Sequence, residues 1–407
     1  MRFHRRAPAC WRRARASWRR TKTDFGLRWL VFFIACVGAD AAAKPPAWER
    51  QAFPLPESIW SVEAIDAKPG EPRELIAMGV TKVFALSEPA WTPRVLFDAV
   101  EGKMLYCVAL DVNRDGATDL ALGRYQIPWI EFRQGKMAAA PKGPDFSVAW
   151  IENTRDRSKP WPMHVLDREL NGIHGLCVGD VDGDGHPDVI SDSISGPAFP
   201  NSVAWFKLGH DAARATRHII TRDGADGRPH YLEFADVNGD GRGDVLLGDS
   251  GAGTFTWWQR GTGGGERWTK HRIAQEKGAT NVRVADVNGD GHADVIGSCG
   301  HGVGVFWFEG PNWRQSVIDG ALATPHALGV GDFDGDGDLD VATASYTAFI
   351  VRWYENDGHG RFTPHDIDTQ NQQQAYDLKV TDLDRDGRMD FILAGRESKN
   401  VVWYRNR

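Results

Sequence analysis

Six stretches of the chain repeat one nine-residue pattern: Asp111–Asp119, Asp180–Asp188, Asp236–Asp244, Asp286–Asp294, Asp332–Asp340 and Asp382–Asp390. Their starts lie 69, 56, 50, 46 and 50 residues apart. A period of that size marks a solenoid or a propeller, because each unit buries its apolar face only against the next one. Each motif sits between two short apolar segments, such as 282–285 and 295–297, which reads as strand, tight loop, strand. Twenty-one residues after the first Asp comes Trp257, Trp307, Trp353 or Trp403. Trp205 holds that place after a four-residue insertion, and Trp150 after an insertion of about eighteen. A fourth strand follows, carrying an aromatic residue and then His164, His271 or His365 three positions on. Four antiparallel strands joined by three turns are a propeller blade.

Once the period is known a seventh unit becomes visible. Asp66–Glu74 occupies the loop position, and Trp91–Leu96 its outer strand. The last unit stops at Arg407 after three strands, and Trp48–Phe53 matches the missing fourth. The expected fold is all-β: a seven-bladed propeller of four-stranded antiparallel blades over residues 44–407, closed by its N-terminal strand. Such closure leaves no open sheet edge.

The motif is built for a hard cation. Oxygen side chains at positions 1, 3, 5 and 9 converge in a tight loop, position 7 adds a carbonyl, and Gly at position 6 permits the sharp turn. The candidate ligands are Asp111, Asn113, Asp115 and Asp119; Asp180, Asp182, Asp184 and Asp188; Asp236, Asn238, Asp240 and Asp244. The other three loops supply Asp286, Asn288, Asp290 and Asp294; Asp332, Asp334, Asp336 and Asp340; Asp382, Asp384, Asp386 and Asp390. These positions hold 21 Asp in all, which repel one another in an empty loop. Net charge points the same way. Residues 1–43 carry ten Arg or Lys and two Asp, so the formal −7 of the whole chain conceals −15 from residue 44 onward. Six Ca²⁺ would bring that body to −3. So acidic a surface does not suit nucleic-acid phosphates.

The repeated loop resembles that of the FG-GAP/VCBS repeat superfamily, whose members include integrin alpha-chain heads, and the resemblance covers residues 48–407. It implies a seven-bladed propeller with about six structural Ca²⁺ on one face and ligand binding on the other. It fails at Asp66–Glu74, where Lys68 and Gly70 replace ligands, so no ion is expected there.

Six residues before each first loop Asp, the innermost strand begins nearest the axis. Through the seven units that column reads Trp60, Leu105, His174, His230, Thr280, His326 and Tyr376. With 13 His in 407 residues, chance would place about 0.2 in seven positions, so three is an excess. Three imidazoles and a phenol around one funnel suit proton transfer, or a Zn²⁺ or similar ion. His174, His230, His326 and Tyr376 are therefore the candidate catalytic residues, expected to be partly exposed. The segments after each second strand should add Arg124, Tyr125, His301, Tyr346 and Arg396 as substrate contacts, with Asp192, Asp249 and Glu397 nearby. The insertion around 133–144 should overhang them as a lid. The outer-strand His164, His218, His271 and His365 also recur in register, and are expected to pack.

Aromatic rings with Arg, His and carboxylates suit a carbohydrate, especially an acidic one. Ulvan lyases and the propeller domain of aldos-2-ulose dehydratase are similar in placing His and Tyr at this mouth, which implies a sugar lyase or dehydratase working by β-elimination. The alternative is a non-catalytic module binding a glycan or protein on the same face. Paired carboxylates for hydrolysis are committed to the loops, and no nucleotide loop, G-x-S-x-G elbow or H-E-x-x-H helix is present.

The Arg-rich start, the apolar run 29–38 and the cluster Ala39–Ala43 read as an export signal of residues 1–43, with lipidation at Cys36 a lesser reading. Ten apolar residues are too few for a bilayer span, which takes about 20. The mature chain is expected to be a periplasmic or extracellular monomer. Cys107, Cys177 and Cys299 remain, a sparse odd set and not a disulfide framework.

Overall fold

The computed structural model describes residues 46–407 apart from 67–72, 101, 126–144, 196–197, 210–214, 223–226 and 263–266. The expected leader 1–43, Cys36 and the expected lid 133–144 lie outside the described residues.

Among the described residues, twenty-eight strands form seven four-stranded antiparallel sheets. Their innermost strands are β2 (Ile59–Ile65), β6 (Lys103–Leu110), β10 (Leu176–Gly179), β14 (Pro229–Ala235), β18 (Asn281–Ala285), β22 (Pro325–Gly331) and β26 (Ala375–Thr381). In the first six blades each strand pairs with the next one in sequence, from innermost to outermost. The seventh blade joins β26, β27 (Asp390–Gly395) and β28 (Asn400–Asn406) to β1 (Trp48–Pro54). Strand β1 lies in register with β28 from Trp48↔Asn406 to Pro54↔Asn400. The sequence expectation for the fold and for its closure is met. Among the described residues no helix is long and apolar enough to cross a membrane.

The core lies between blades. Apolar residues of the middle strands, many fully buried, fill the space between neighbouring sheets. The third-strand tryptophans are all buried, and four lie flat on the histidine paired with them across the sheet. These are Trp150–His164 at 4.2 Å, Trp205–His218 at 4.3 Å, Trp257–His271 at 4.3 Å and Trp353–His365 at 4.7 Å. Cross-strand aromatic pairs of this kind stabilise a sheet by up to about 1 kcal/mol. The outer-strand histidines therefore pack, as their sequence register suggested.

Candidate functional site

The loops on one face share a single internal geometry. The first Asp accepts the amide of the position-6 glycine at 2.7–3.1 Å, as in Asp236 to Gly241 and Asp332 to Gly337. All six of these glycines have positive φ, between 80° and 97°, which an L side chain adopts only under strain. The closing Asp accepts two more amides, for instance those of Val112 and Asn153 on Asp119, so it ties the loop to the third strand. Burial raises these closing carboxyls, to about 6 for Asp119, Asp244 and Asp390 and to about 7 for Asp188 and Asp340. Carboxylate oxygens come within 4.8 Å of one another in the sets Asp180–Asp182–Asp188, Asp332–Asp334–Asp336 and Asp382–Asp384–Asp390. An all-oxygen donor set with buried carboxyls fits a hard divalent cation. In the first unit, by contrast, the closing Glu74 is held by Arg94 at 3.2 Å and Arg157 at 3.0 Å. Asp66 pairs with Arg73 and Arg385. Lys68 and Gly70 lie outside the described residues.

The column of histidines does converge at the axis. Ring centroids are 4.8 Å apart for His174–His230, 5.0 Å for His230–His326 and 4.4 Å for His326–Tyr376. Trp60 packs edge-on to Tyr376 at 4.6 Å, and Tyr125 edge-on to His174 at 5.4 Å. Five of the innermost strands, β2, β6, β14, β22 and β26, break register at or beside this position. A β-bulge there re-aims the side chain relative to the regular pleat. Thr280 instead immediately precedes its strand, and His174 stands two residues before its own.

Burial corrects one expectation. The ring is not partly exposed: His230 and His326 are 1% exposed, His174 and Tyr376 7%. The tight ring-on-ring packing excludes solvent, and the bare imidazole is favoured. Desolvation pushes His174 and His230 well below the usual histidine range, His301 down to about 4 and His326 down to about 3. It pushes Tyr376 up, so the phenol stays protonated.

The hydrogen bonds define which nitrogens are available. His326 Nδ1 lies 3.0 Å from the Tyr376 carbonyl, and His174 Nδ1 3.1 Å from the Gly172 carbonyl. A carbonyl only accepts, so each Nδ1 carries the proton and each Nε2 keeps its lone pair. His326 Nε2 and both ring nitrogens of His230 are buried with no protein partner. One nitrogen from each of His230, His301 and His326 lies within 4.8 Å of the others. Such a donor set suits zinc or a similar ion.

Of the expected contacts, Tyr125, His301, Tyr346 and Arg396 lie at this mouth. Exposed His301 sits 5.0 Å from His230. Arg396 lies over Trp60 at 4.7 Å and donates to the Tyr346 hydroxyl. Arg124 does not join them; it is fully buried, stacked over Phe146 at 4.5 Å. Asp192 and Asp249 are turn acceptors: Asp192 takes the amides of His174 and Gly175, and Asp249 those of Arg228, Gly251 and Ala252. Glu397 pairs with Arg396 at 3.8 Å.

Two cations at the mouth were missed in the sequence. Lys103 sits 3.9 Å over the Trp60 ring, and its ammonium is brought down to about 8 by burial and by Arg396. Arg228 hydrogen-bonds Tyr125 and acts on His174, His230 and His301. Both stand two residues before the ring column, so the column read at that offset would have found them. Three residues beyond the ring, Lys379 pairs with Glu63 at 2.8 Å and Arg283 with Glu233 at 3.4 Å. These pairs follow the ring along the same innermost strands.

Comparison with known proteins agrees with the architecture. Residues 236–297, 289–343 and 332–393 match the FG-GAP-like repeat. The protein is a seven-bladed β-propeller whose C-terminal half carries FG-GAP-like repeats. Among solved structures it is similar to a streptogramin B lyase, with 11% identity and a TM-score of 0.57 over 88% of this chain and 98% of that one. A catalytically inactive histidine-to-alanine variant of virginiamycin B lyase from Staphylococcus aureus, holding quinupristin, gives 8% identity and a TM-score of 0.55 over 88% and 99%. An Agrocybe aegerita lectin that recognises non-reducing terminal N-acetylglucosamine gives 15% and 0.51 over 86% of each chain. At these identities the likeness is one of fold. No curated protein sequence matches the chain.

Proposed function

We propose that the protein is an exported, calcium-stiffened lyase that cleaves an acidic carbohydrate by β-elimination at the histidine mouth. The observation that carries this reading is the pair His230 and His326, bare and buried, with unpartnered nitrogens beside Arg228 and Arg396, while Lys103 acts on the neighbouring His174. A buried polar atom without a partner costs roughly 1–3 kcal/mol, so a fold that keeps three of them holds them for a ligand.

The chemistry follows from the charges. Lys103 and Arg396 would hold the sugar carboxylate and so acidify the carbon beside it. A bare imidazole nitrogen of His230 or His326 takes the proton from that carbon, the electron pair forms the C=C bond, and the adjacent C–O bond breaks. Tyr376, kept protonated by burial, supplies the proton to the departing oxygen. A zinc or similar ion on His230, His301 and His326 would use those same lone pairs, supplying Lewis-acid stabilisation of the developing enolate and leaving Nε2 of His174 as the bare base. Ca²⁺ at six loops, residues 1–43 as the leader and a monomeric state belong to the same proposal. A glycan-binding role without turnover is the second reading, and the aromatic rings Trp60, Tyr125 and Tyr346 at the mouth favour it equally.

The test is turnover of uronate-containing polysaccharides, read as new ultraviolet absorbance from an unsaturated product. His230→Ala should abolish it while glycan binding persists. His271→Ala removes the stack on Trp257 and the hydrogen bond to Gln259, and should lower stability with turnover kept. Binding without turnover in the unaltered protein would establish the second reading. Metal analysis of the purified protein tells whether zinc accompanies calcium.

Activity should also have a defined pH window. The base must be unprotonated, so with His326 as base turnover falls only as pH drops through about 3. Lys103 must be protonated, so turnover falls again as pH rises through about 8. A profile centred on an ordinary histidine, falling below about 6.5, would be incompatible with these buried rings.

A further inference from the structure

The six loops are equal in motif but not in charge. The residue two positions after the third-strand tryptophan faces loop position 3, and the two vary together. Where position 3 is Asn113 or Asn288, the facing residue is Glu152 or Glu309, which accepts from the amide at 3.3 or 3.4 Å. Where it is Asn238, the facing residue is Gln259, which reaches Asp240 at 3.4 Å. Where it is Asp182 or Asp384, the facing residue is a cation. Lys207 bonds Asp182 and lies 3.0 Å from Asp184, and Arg405 bonds Asp384 and lies 3.6 Å from Asp386.

The loop 332–340 breaks this compensation. Asp334 faces Glu355, and the charges acting on Asp334 come from Asp336, Asp332 and Glu355, all negative. Position 7 adds Asp338, the only acidic residue at that position in the six loops. The first unit, where no ion is expected, shows the opposite extreme, with Arg94 and Arg157 seated on Glu74.

Resting on the calcium reading above, we propose that the six sites are graded. The loop 332–340, with Glu355 as an added oxygen donor, is the tightest calcium site. In 111–119 and 236–244 a cation, Arg155 or Arg242, pairs with the position-5 Asp alone. At 180–188 and 382–390 the tethered Lys207 and Arg405 reach the carboxylates of both positions 3 and 5, so these two loops bind the ion most weakly and keep their shape without it. Affinity of oxygen-ligand sites follows the count of ligand charges, and two cations sharing one carboxylate set repel each other.

The test is calorimetric titration of the full-length, chelator-stripped protein with Ca²⁺, with native mass spectrometry to count ions and thermal melting as a second readout. The unaltered protein should show at least two affinity classes. Glu355→Gln should weaken the tightest step by about tenfold or more. Lys207→Met with Arg405→Met should tighten the weak class by a similar factor, and should lower the melting temperature of the calcium-free protein without lowering that of the loaded one. Six equivalent sites, or affinities unmoved by both variants, would overturn the grading and leave the calcium reading intact. Failure to bind Ca²⁺ at all would overturn that reading itself.

Discussion

Exhaustive chelation of calcium should lower the melting temperature of this protein by on the order of 10–20 °C. At free calcium ten times its dissociation constant each site contributes about 1.4 kcal/mol, so six give about 8 kcal/mol. With an unfolding entropy of about 2.1 cal/mol/K per residue, a body of this length shifts by about 1.3 °C per kcal/mol, which gives about 11 °C, the lower end of that range. Asp332→Ala should reproduce part of it, whereas Asp66→Ala removes only exposed pairs with Arg73 and Arg385 and should cost within about 1 kcal/mol. The stripped protein should also respond to pH with a definite sign. Its closing carboxyls, Asp119, Asp188, Asp244, Asp340 and Asp390, titrate at about 6–7 when folded, against about 4 when unfolded. The stability they support is full below pH 4 and drains away as pH rises through 6–7. Melting curves of chelated protein at pH 5 and pH 7.5 check this. An unchanged melt after chelation at either pH would remove the calcium assignment.

Deleting the N-terminal strand should be as damaging. Strand β1 supplies Trp48, stacked on Phe391 at 4.5 Å, and Phe53, stacked on Trp91, which in turn lies 5.5 Å from Trp403. Loss of one fully buried aromatic costs about 3–5 kcal/mol. Trp48 and Phe53 are half-buried, so each costs less, but truncation to residue 56 removes both together with the β1–β28 pairing and bares the edge of β28. The truncated protein should melt far below the full chain and aggregate through that edge. Light scattering together with thermal melting measures both effects. A monomeric truncation of unchanged stability would mean that the last blade does not need its fourth strand.

Much of this molecule was legible in its residues because the propeller repeats its instructions. Six Asp-rich loops fixed the period, the period exposed the seventh unit, and the missing last strand pointed to Trp48–Phe53. The convergence of His174, His230, His326 and Tyr376 followed from the same column. What the column did not reveal is the bulge that accompanies it in five blades. A bulge shifts alternation by one residue, so period-2 reasoning misjudges which side chains face solvent. The ring is buried because its members pack on one another, which spacing along the chain does not show, and Arg124 lies against Phe146 instead of at the mouth. Lys103 and Arg228 escaped notice for a different reason. They share one column, but its other five positions are Ser58, Gly172, Gly278, Thr324 and Gln374, so two different cations in seven units make no repeat to announce them.

The pairing of the two chain ends has a consequence for how the molecule assembles. Six blades are stretches of about fifty residues whose strands find partners next door, so each can form soon after its own segment is available. The seventh must join groups 358 residues apart, such as Arg407 and Glu49. The entropy of closing so long a loop exceeds that of a blade by only about 2 kcal/mol, a small handicap at equilibrium. In time it is a large one: the clasp cannot form until every intervening blade is in place, and the waiting edge is open to other chains. The same closure makes the ring indifferent to where it is cut. A circularly permuted chain that begins between any two blades should build the same mouth and the same loops, with its termini held in the loop between those blades and no strand left to fetch from the far end.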